Sequence, residues 1–204
     1  VMPFAAVFNN LVVFDPAKPH ESLDTVIPDL AESWSWDATN TRLTFKLRQG
    51  VKFSDGSGFD SADVKASFDR SIKINDPSGI SSLLSNLKSV KTNGQYAVTF
   101  NLKSPQSTWP YILSSGAGFI TPSSYPATKL QANDQPQIGT GPYKLEKYTP
   151  GQQAVLVRND DYWGPKAKNE GIIIRYYSKS STMKLALERG EIDMAYQTFT
   201  PTEL

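Results

Sequence analysis

The sequence has no cysteine among its 204 residues, which rules out a disulfide framework, thiolate metal sites and thiol chemistry. It fits an oxidising compartment without requiring one. There is a single histidine, His20, beside Pro19 in a polar loop. It reads as a solvated surface residue before it reads as a catalytic or metal-binding one. Long apolar runs are missing too: Ile172-Ile173-Ile174 is far too short to cross a bilayer. No charged-then-apolar leader opens the sequence. Charge of one sign is also lacking. Lys and Arg number 21 against 20 Asp and Glu, a net charge of +1, so nothing points to nucleic acid or an acidic membrane surface as partner. Fixed-period repeats and low-complexity tracts are absent.

What is there has ordinary globular composition, 39% hydrophobic and 20% charged. Glu32-Ser33-Trp34-Ser35-Trp36 and Leu43-Thr44-Phe45-Lys46-Leu47-Arg48 alternate apolar and polar residues, as half-buried strands do. The polar stretch 37–41 joins them as a hairpin. Gln49-Gly50 ends the second strand and Asp55-Gly56-Ser57-Gly58 is a turn. Asp60 and Asp63 then form a capping-box start, with Val64, Phe68 and Ile72 on one face of a helix that stops before Asn75-Asp76-Pro77.

Asn93-Gly94 between residues 89–92 and 95–102 signals another hairpin, because both residues tolerate positive φ. Residues 143–148 and 153–158 flank Thr149-Pro150-Gly151-Gln152, which suits a type II turn. Ile172-Ile173-Ile174-Arg175-Tyr176-Tyr177 predicts a nearly continuous buried strand. Ser180 or Ser181 predicts a helix start, and the helix runs through Arg189 with Gly190 at C′. Ile192, Met194 and Tyr196 alternate as a further strand, so this stretch predicts a βαβ crossover with two parallel strands.

Catalytic signatures are missing: no Gly-x-Ser-x-Gly elbow, Walker loop or Gly-x-Gly-x-x-Gly fingerprint occurs. Residues 55–63 lack the ligand spacing of a helix–loop–helix calcium site. Asn159-Asp160-Asp161 places carboxylates next to one another, where neighbouring side chains point apart. Trp34, Trp36, Trp109 and Trp163 serve packing before ligand stacking. The sequence predicts neither an enzyme nor a metal or cofactor site.

Five stretches in order resemble one family. They are Pro28-Asp29-Leu30-Ala31-Glu32-Ser33-Trp34, the run LTFKLRQGVKFSDG from Leu43 to Gly56, Gly139-Thr140-Gly141-Pro142-Tyr143, Arg158-Asn159-Asp160-Asp161-Tyr162-Trp163-Gly164, and Leu187-Glu188-Arg189-Gly190-Glu191-Ile192-Asp193-Met194-Ala195. Their order and spacing resemble the oligopeptide-, dipeptide- and nickel-binding proteins of ABC importers, the family 5 solute-binding proteins. The resemblance implies a mixed α/β, periplasmic-binding-protein-like fold of the class II type that closes on its ligand by a hinge. It implies that residues 1–8 are a remnant of the first lobe, 9–133 a β-rich extra domain and 134–204 part of the first α/β lobe.

The ends of the sequence, Val1-Met2-Pro3-Phe4 and Pro201-Thr202-Glu203-Leu204, support the expectation of a piece of a longer protein whose second lobe lies outside it. The implied role is capture of a short peptide outside the membrane and delivery to the permease of an ABC importer, as a periplasmic or lipoprotein-anchored monomer. The five motifs read as scaffold. Ligand contact is expected instead at Ser81 and Ser82, at Ser115, Gly118 and Phe119 in a small-residue loop, and at Tyr196, Gln197 and Thr198 past the last strand. Some nickel binders of the family carry an Arg aligned with Gly118, so the missing charge argues against an anionic metal chelate. An oligosaccharide or metal chelate as ligand, a hydrolase domain of unknown specificity and a pure interaction module are the alternatives, the last marked by a wide exposed apolar patch in place of a cleft.

Overall fold

A computed structural model describes residues 2–76, 79, 81–132, 135–196 and 199. After a 3-10 turn at Met2–Ala6 comes a short ribbon, β1 (Val12–Phe14) antiparallel to β2 (Val26–Pro28). Strands β3 (Ala31–Trp36) and β4 (Arg42–Leu47) form the first predicted hairpin. Helix α1 (Ser61–Ile74) follows, then the predicted pair β5 (Leu87–Thr92) and β6 (Ala97–Leu102). These four strands make one antiparallel sheet in the order β3-β4-β6-β5.

The register Leu43↔Phe100 and Phe45↔Val98 puts the apolar set of β4 and β6 on one face. Leu43, Phe45, Leu47, Val98 and Phe100 are all fully buried there, which is what a period of two requires of a sheet covered on one side. Helix α1 covers that face. Phe68 meets Phe100 edge-on at 4.8 Å between centroids, and Phe100 meets Phe45 at 5.5 Å, the arrangement that aromatic quadrupoles favour.

The helix starts as the sequence predicts. The Asp60 side chain accepts from Ala62 N, and the Asp63 carboxylate accepts from Asp60 N at 2.9 Å. Asn75, in the left-handed region at φ 45°, ends it. Ile72, which the spacing puts on one face with Val64 and Phe68, is 43% exposed and lines an open groove with Asn75 and Lys103. The Asn93-Gly94 hairpin differs in detail from the two-residue turn: only Gly94 is left-handed, and Asn93 N donates to Ala97 O across a longer loop.

Helix α2 (Trp109–Leu113) packs the fully buried Trp109 into this core. After it come β7 (Tyr143–Thr149) and β8 (Gln153–Arg158), joined by the predicted turn with Gly151 at φ 70°. Strand β9 (Gly171–Arg175) completes a second antiparallel sheet, β7-β8-β9, and helix α3 (Ser180–Glu188) follows. Val7, Phe8, Tyr143 and Leu156 form a smaller core beneath this sheet.

Two expectations fail here. β9 is an edge strand with alternating burial: Ile172 and Ile174 pack on the small core, while Ile173 is 60% exposed. Three consecutive isoleucines look continuous in sequence, but the pleat sends every second one outward. The predicted parallel strand at 191–196 does not form, and Met194 and Tyr196 are exposed. Alternation gives a strand only where a neighbouring backbone supplies ladder bonds and a packed face rewards them. No described helix is long and apolar enough to cross a membrane.

Candidate functional site

The loop after α2 is built from small residues held by their own backbone. Ser115 Oγ donates to Ile112 O at 2.7 Å and accepts from Ala117 N, and Gly118 N donates to Ser115 O at 2.9 Å. Asn10 Nδ2 also donates to Ser115 O, and Ile120 N donates to Asn9 O, so the loop is pinned to the segment that precedes β1. Gly118 is buried. A Cβ there would lie 1.9 Å from the Leu113 carbonyl oxygen. Phe119 is half-buried and packs on Phe8 of the smaller core with centroids 5.7 Å apart.

The 3-10 turn Ser81–Leu84 lies against the turn Gly116–Gly118. The fold therefore brings two of the three predicted ligand segments side by side, from positions over thirty residues apart in sequence. Ser81 Oγ reaches Asp76 O at 3.4 Å and Ser82 is exposed. Both serines also line a groove of about 490 Å³ with Ile72, Asn75 and Lys103, which residues 115–119 do not enter. Of the third segment, Tyr196 is exposed beyond α3, and Gln197 and Thr198 lie outside the described residues.

Four of the five family-like motifs meet at one buried polar junction. Asp29 accepts from Asn10 N at 3.0 Å and from Asn9 Nδ2 at 3.0 and 3.2 Å. Arg48 Nε donates to the Asp29 carbonyl at 2.6 Å, and its guanidinium stacks 4.9 Å from the centroid of Trp163. Asn9 Oδ1 accepts from Thr140 Oγ1 at 3.0 Å, and Asn159 Nδ2 donates to Gly141 O at 3.0 Å. Gly139 and Gly141 are glycines for a steric reason: a Cβ would meet Val7 O at 2.0 Å or Ala6 O at 2.5 Å. The junction ties the N-terminal segment, the four-stranded sheet and the three-stranded sheet together. Sequence reading passed over Asn9 and Asn10; adjacent amides between two apolar runs, Val7-Phe8 and Leu11-Val12, are the signal that marks them.

Electrostatics agree with a structural role. Burial pushes the Asp29 carboxyl up to about 6, against the opposing pull of the Asn10 N–H, the Asn9 amide and the Arg48 charge. The folded value exceeds the ordinary 3.8, so folding favours the neutral acid. The resulting stability is complete below the ordinary value and is lost as pH rises through about 6. Tyr162, also beside this carboxylate, is itself raised by burial. Relative to Asp29→Asn, the native protein is therefore expected to gain about 2–3 kcal/mol as pH falls from about 7 to about 4. Urea unfolding of both proteins at the two pH values checks this; parallel pH dependences would show that the junction does not hold Asp29 as described.

The adjacent carboxylates behave as surface ion pairs. Asp160, held down to about 2 by Lys166 and Arg158, bonds them at 2.8 and 2.9 Å. Asp161 lies 4.0 Å from Lys144. His20 is exposed.

The family model for bacterial extracellular solute-binding proteins, family 5, middle region, matches residues 25–204. This chain belongs to that family. Among the family 5 proteins it is similar to the nickel-binding periplasmic protein of Escherichia coli (strain K12), 29% identical over 194 residues, covering 93% of this chain and 37% of the relative. It is 32% identical to the probable D,D-dipeptide-binding periplasmic protein DdpA of the same organism, over 82% of this chain and 33% of the relative. Among solved structures, NikA from Brucella suis in complex with Fe(III)-EDTA superposes with a TM-score of 0.77 at 36% identity, covering 92% of this chain and 37% of that one. The chain thus spans about a third of the length of these relatives. Its mixed α/β architecture is that of a periplasmic binding protein in part.

Proposed function

We propose that this chain is part of the solute-binding component of an ABC importer that captures short peptides outside the membrane and hands them to the permease. Its relatives are binding proteins, and the D,D-dipeptide-binding relative takes a peptide ligand by name. The observation that carries the peptide reading is the loop 114–119. It bears no charged side chain, and the place of a side chain at Gly118 is filled by the Leu113 carbonyl. A guanidinium for an anionic chelate has no room there. Small hydroxyls and main-chain groups suit a peptide backbone, which is recognised by main-chain hydrogen bonds and bridging water.

In this reading Ser81, Ser82, Ser115 and Gly118 line one wall of the ligand cleft, and Tyr196, Gln197 and Thr198 are further ligand contacts. Phe119 supports that wall from behind. Residues 9–133 form the β-rich domain and 134–204 part of the first lobe, and the protein works as an extracytoplasmic monomer. The names of two relatives, one nickel-binding and one crystallised with Fe(III)-EDTA, favour a metal chelate as the second reading.

The test is mass spectrometry of the ligand that copurifies with the complete gene product under native conditions. A short peptide is expected. A metal chelate or a saccharide at full occupancy would overturn the peptide assignment and leave the family intact.

A further inference from the structure

Asp55-Gly56 and Asn93-Gly94 are turns in which a glycine follows Asp or Asn, and their chemistry differs. At Asp55-Gly56, Gly56 N donates to Phe53 O at 2.9 Å, and Asp55 Oδ1 accepts from both Ser57 N and Ser57 Oγ. Both reactive groups are occupied. At Asn93-Gly94, Asn93 is exposed and Gly94 takes φ 79° with nothing within 4 Å of where a Cβ would stand. The Asn93 main-chain N–H donates to Ala97 O, and its amide Nδ2 donates to Thr99 Oγ1 at 2.6 Å. Gly94 O accepts from Ser61 Oγ at 2.7 Å. The Gly94 N–H donates no hydrogen bond within the described residues.

An amide nitrogen that is unshielded by a side chain and free of an intramolecular partner is a nucleophile toward the preceding asparagine, the reason Asn is a thermolabile residue. We propose that Asn93 is a site of spontaneous deamidation coupled to the start of α1. Gly94 N, losing its proton to solvent, forms a bond to Asn93 Cγ. The Cγ–Nδ2 bond breaks and the nitrogen departs as ammonia, leaving a five-membered succinimide. Water then opens the ring. Attack at Cγ gives aspartate, and attack at the main-chain carbonyl gives iso-aspartate, in which the chain runs through the former side chain.

The consequence follows from what the loop holds. Ser61, the first residue of α1 and buried, gives its N–H to Gln95 O at 2.9 Å and its hydroxyl to Gly94 O. Iso-aspartate adds a carbon to the main chain between residue 93 and Gly94, which moves both carbonyls away from Ser61. Either product also replaces the Nδ2 donor by an acceptor. Thr99 must then give its single proton to residue 93 and can only accept from Thr44 Oγ1, 2.9 Å away.

Peptide mapping of the folded chain after incubation at mildly alkaline pH and 37 °C tests the proposal. The mass gain of an NH-to-O exchange is expected at Asn93, with an iso-aspartyl product resolved by chromatography. Modified chains should melt at a lower temperature than unmodified ones. Gly94→Ala should react on the order of tenfold more slowly, because a Cβ shields the nitrogen. Asn93→Gln, which leaves the backbone unchanged, should abolish the signal and retain the native melting temperature. An unreactive Asn93 in the folded chain, beside a reactive one in the same chain unfolded in urea, would overturn the proposal. So would modified chains that melt with the native ones.

Discussion

Replacing Gly118 by alanine is expected to cost about 4 kcal/mol of stability, near the upper limit for a single substitution. The added Cβ would stand 1.9 Å from the carbonyl oxygen of Leu113 and 2.8 Å from its carbonyl carbon. These are backbone atoms of α2, not the tip of a flexible side chain, so the clash is relieved only by moving the helix or the loop. The helix cannot yield cheaply. Trp109 and Leu113 on it are fully buried, in an interior packed too densely to absorb such a shift. The loop is no freer, because Asn10 Nδ2 and the Ser115 side chain both fix it. Gly58→Ala is the control. A Cβ at Gly58 meets nothing within 4 Å, so its effect should stay within about 0.5 kcal/mol, the range of a neutral surface change. Urea denaturation of the three proteins measures both effects. A Gly118→Ala protein as stable as the control would mean that the loop is not packed as described, and the steric case against an arginine there would fall with it.

That glycine illustrates what was legible in the sequence. Ser114-Ser115-Gly116-Ala117-Gly118-Phe119 stands out as a run of small residues, but a one-dimensional reading sees permissive backbone where the fold shows a lack of space. Phe119 has the converse history. It stands in a candidate ligand loop by position, and its half-buried ring also packs on Phe8, a partner more than a hundred residues away that no local pattern indicates. Local signals served well where the physics is local. The Asp60/Asp63 capping box, the turn at Pro150-Gly151 and the alternation of β4 depend on neighbours within a few residues, and each appears as expected. The segment 191–196 has the alternation of a strand but pairs with no strand among the described residues, and stays irregular. The polar junction lies between these extremes. Its motifs were visible as separate stretches, whereas their meeting around Asn9 and Asp29 is a property of the fold alone.

The meeting of Ser81–Leu84 with Gly116–Gly118 leads to the second large expected effect, which concerns affinity. In the proposed function these turns form one wall of a cleft that the rest of the protein closes. On an open wall, a hydrogen bond to ligand competes with water and nets about 0.5–1.5 kcal/mol. Immobilising a flexible peptide costs roughly 4 kcal/mol or more. Two or three such bonds do not offset that cost. The proposed function therefore requires closure by a hinge, which would supply a second wall, exclude the water and bring further contacts to the same ligand.

Titration calorimetry of one short peptide, the copurifying one, against residues 1–204 and against the complete gene product tests this most directly. The expected dissociation constant is near or above 1 mM for residues 1–204 and tighter by at least about a hundredfold, roughly 3 kcal/mol, for the complete protein. Equal micromolar affinity in both would place the whole site within these residues and contradict the one-walled cleft.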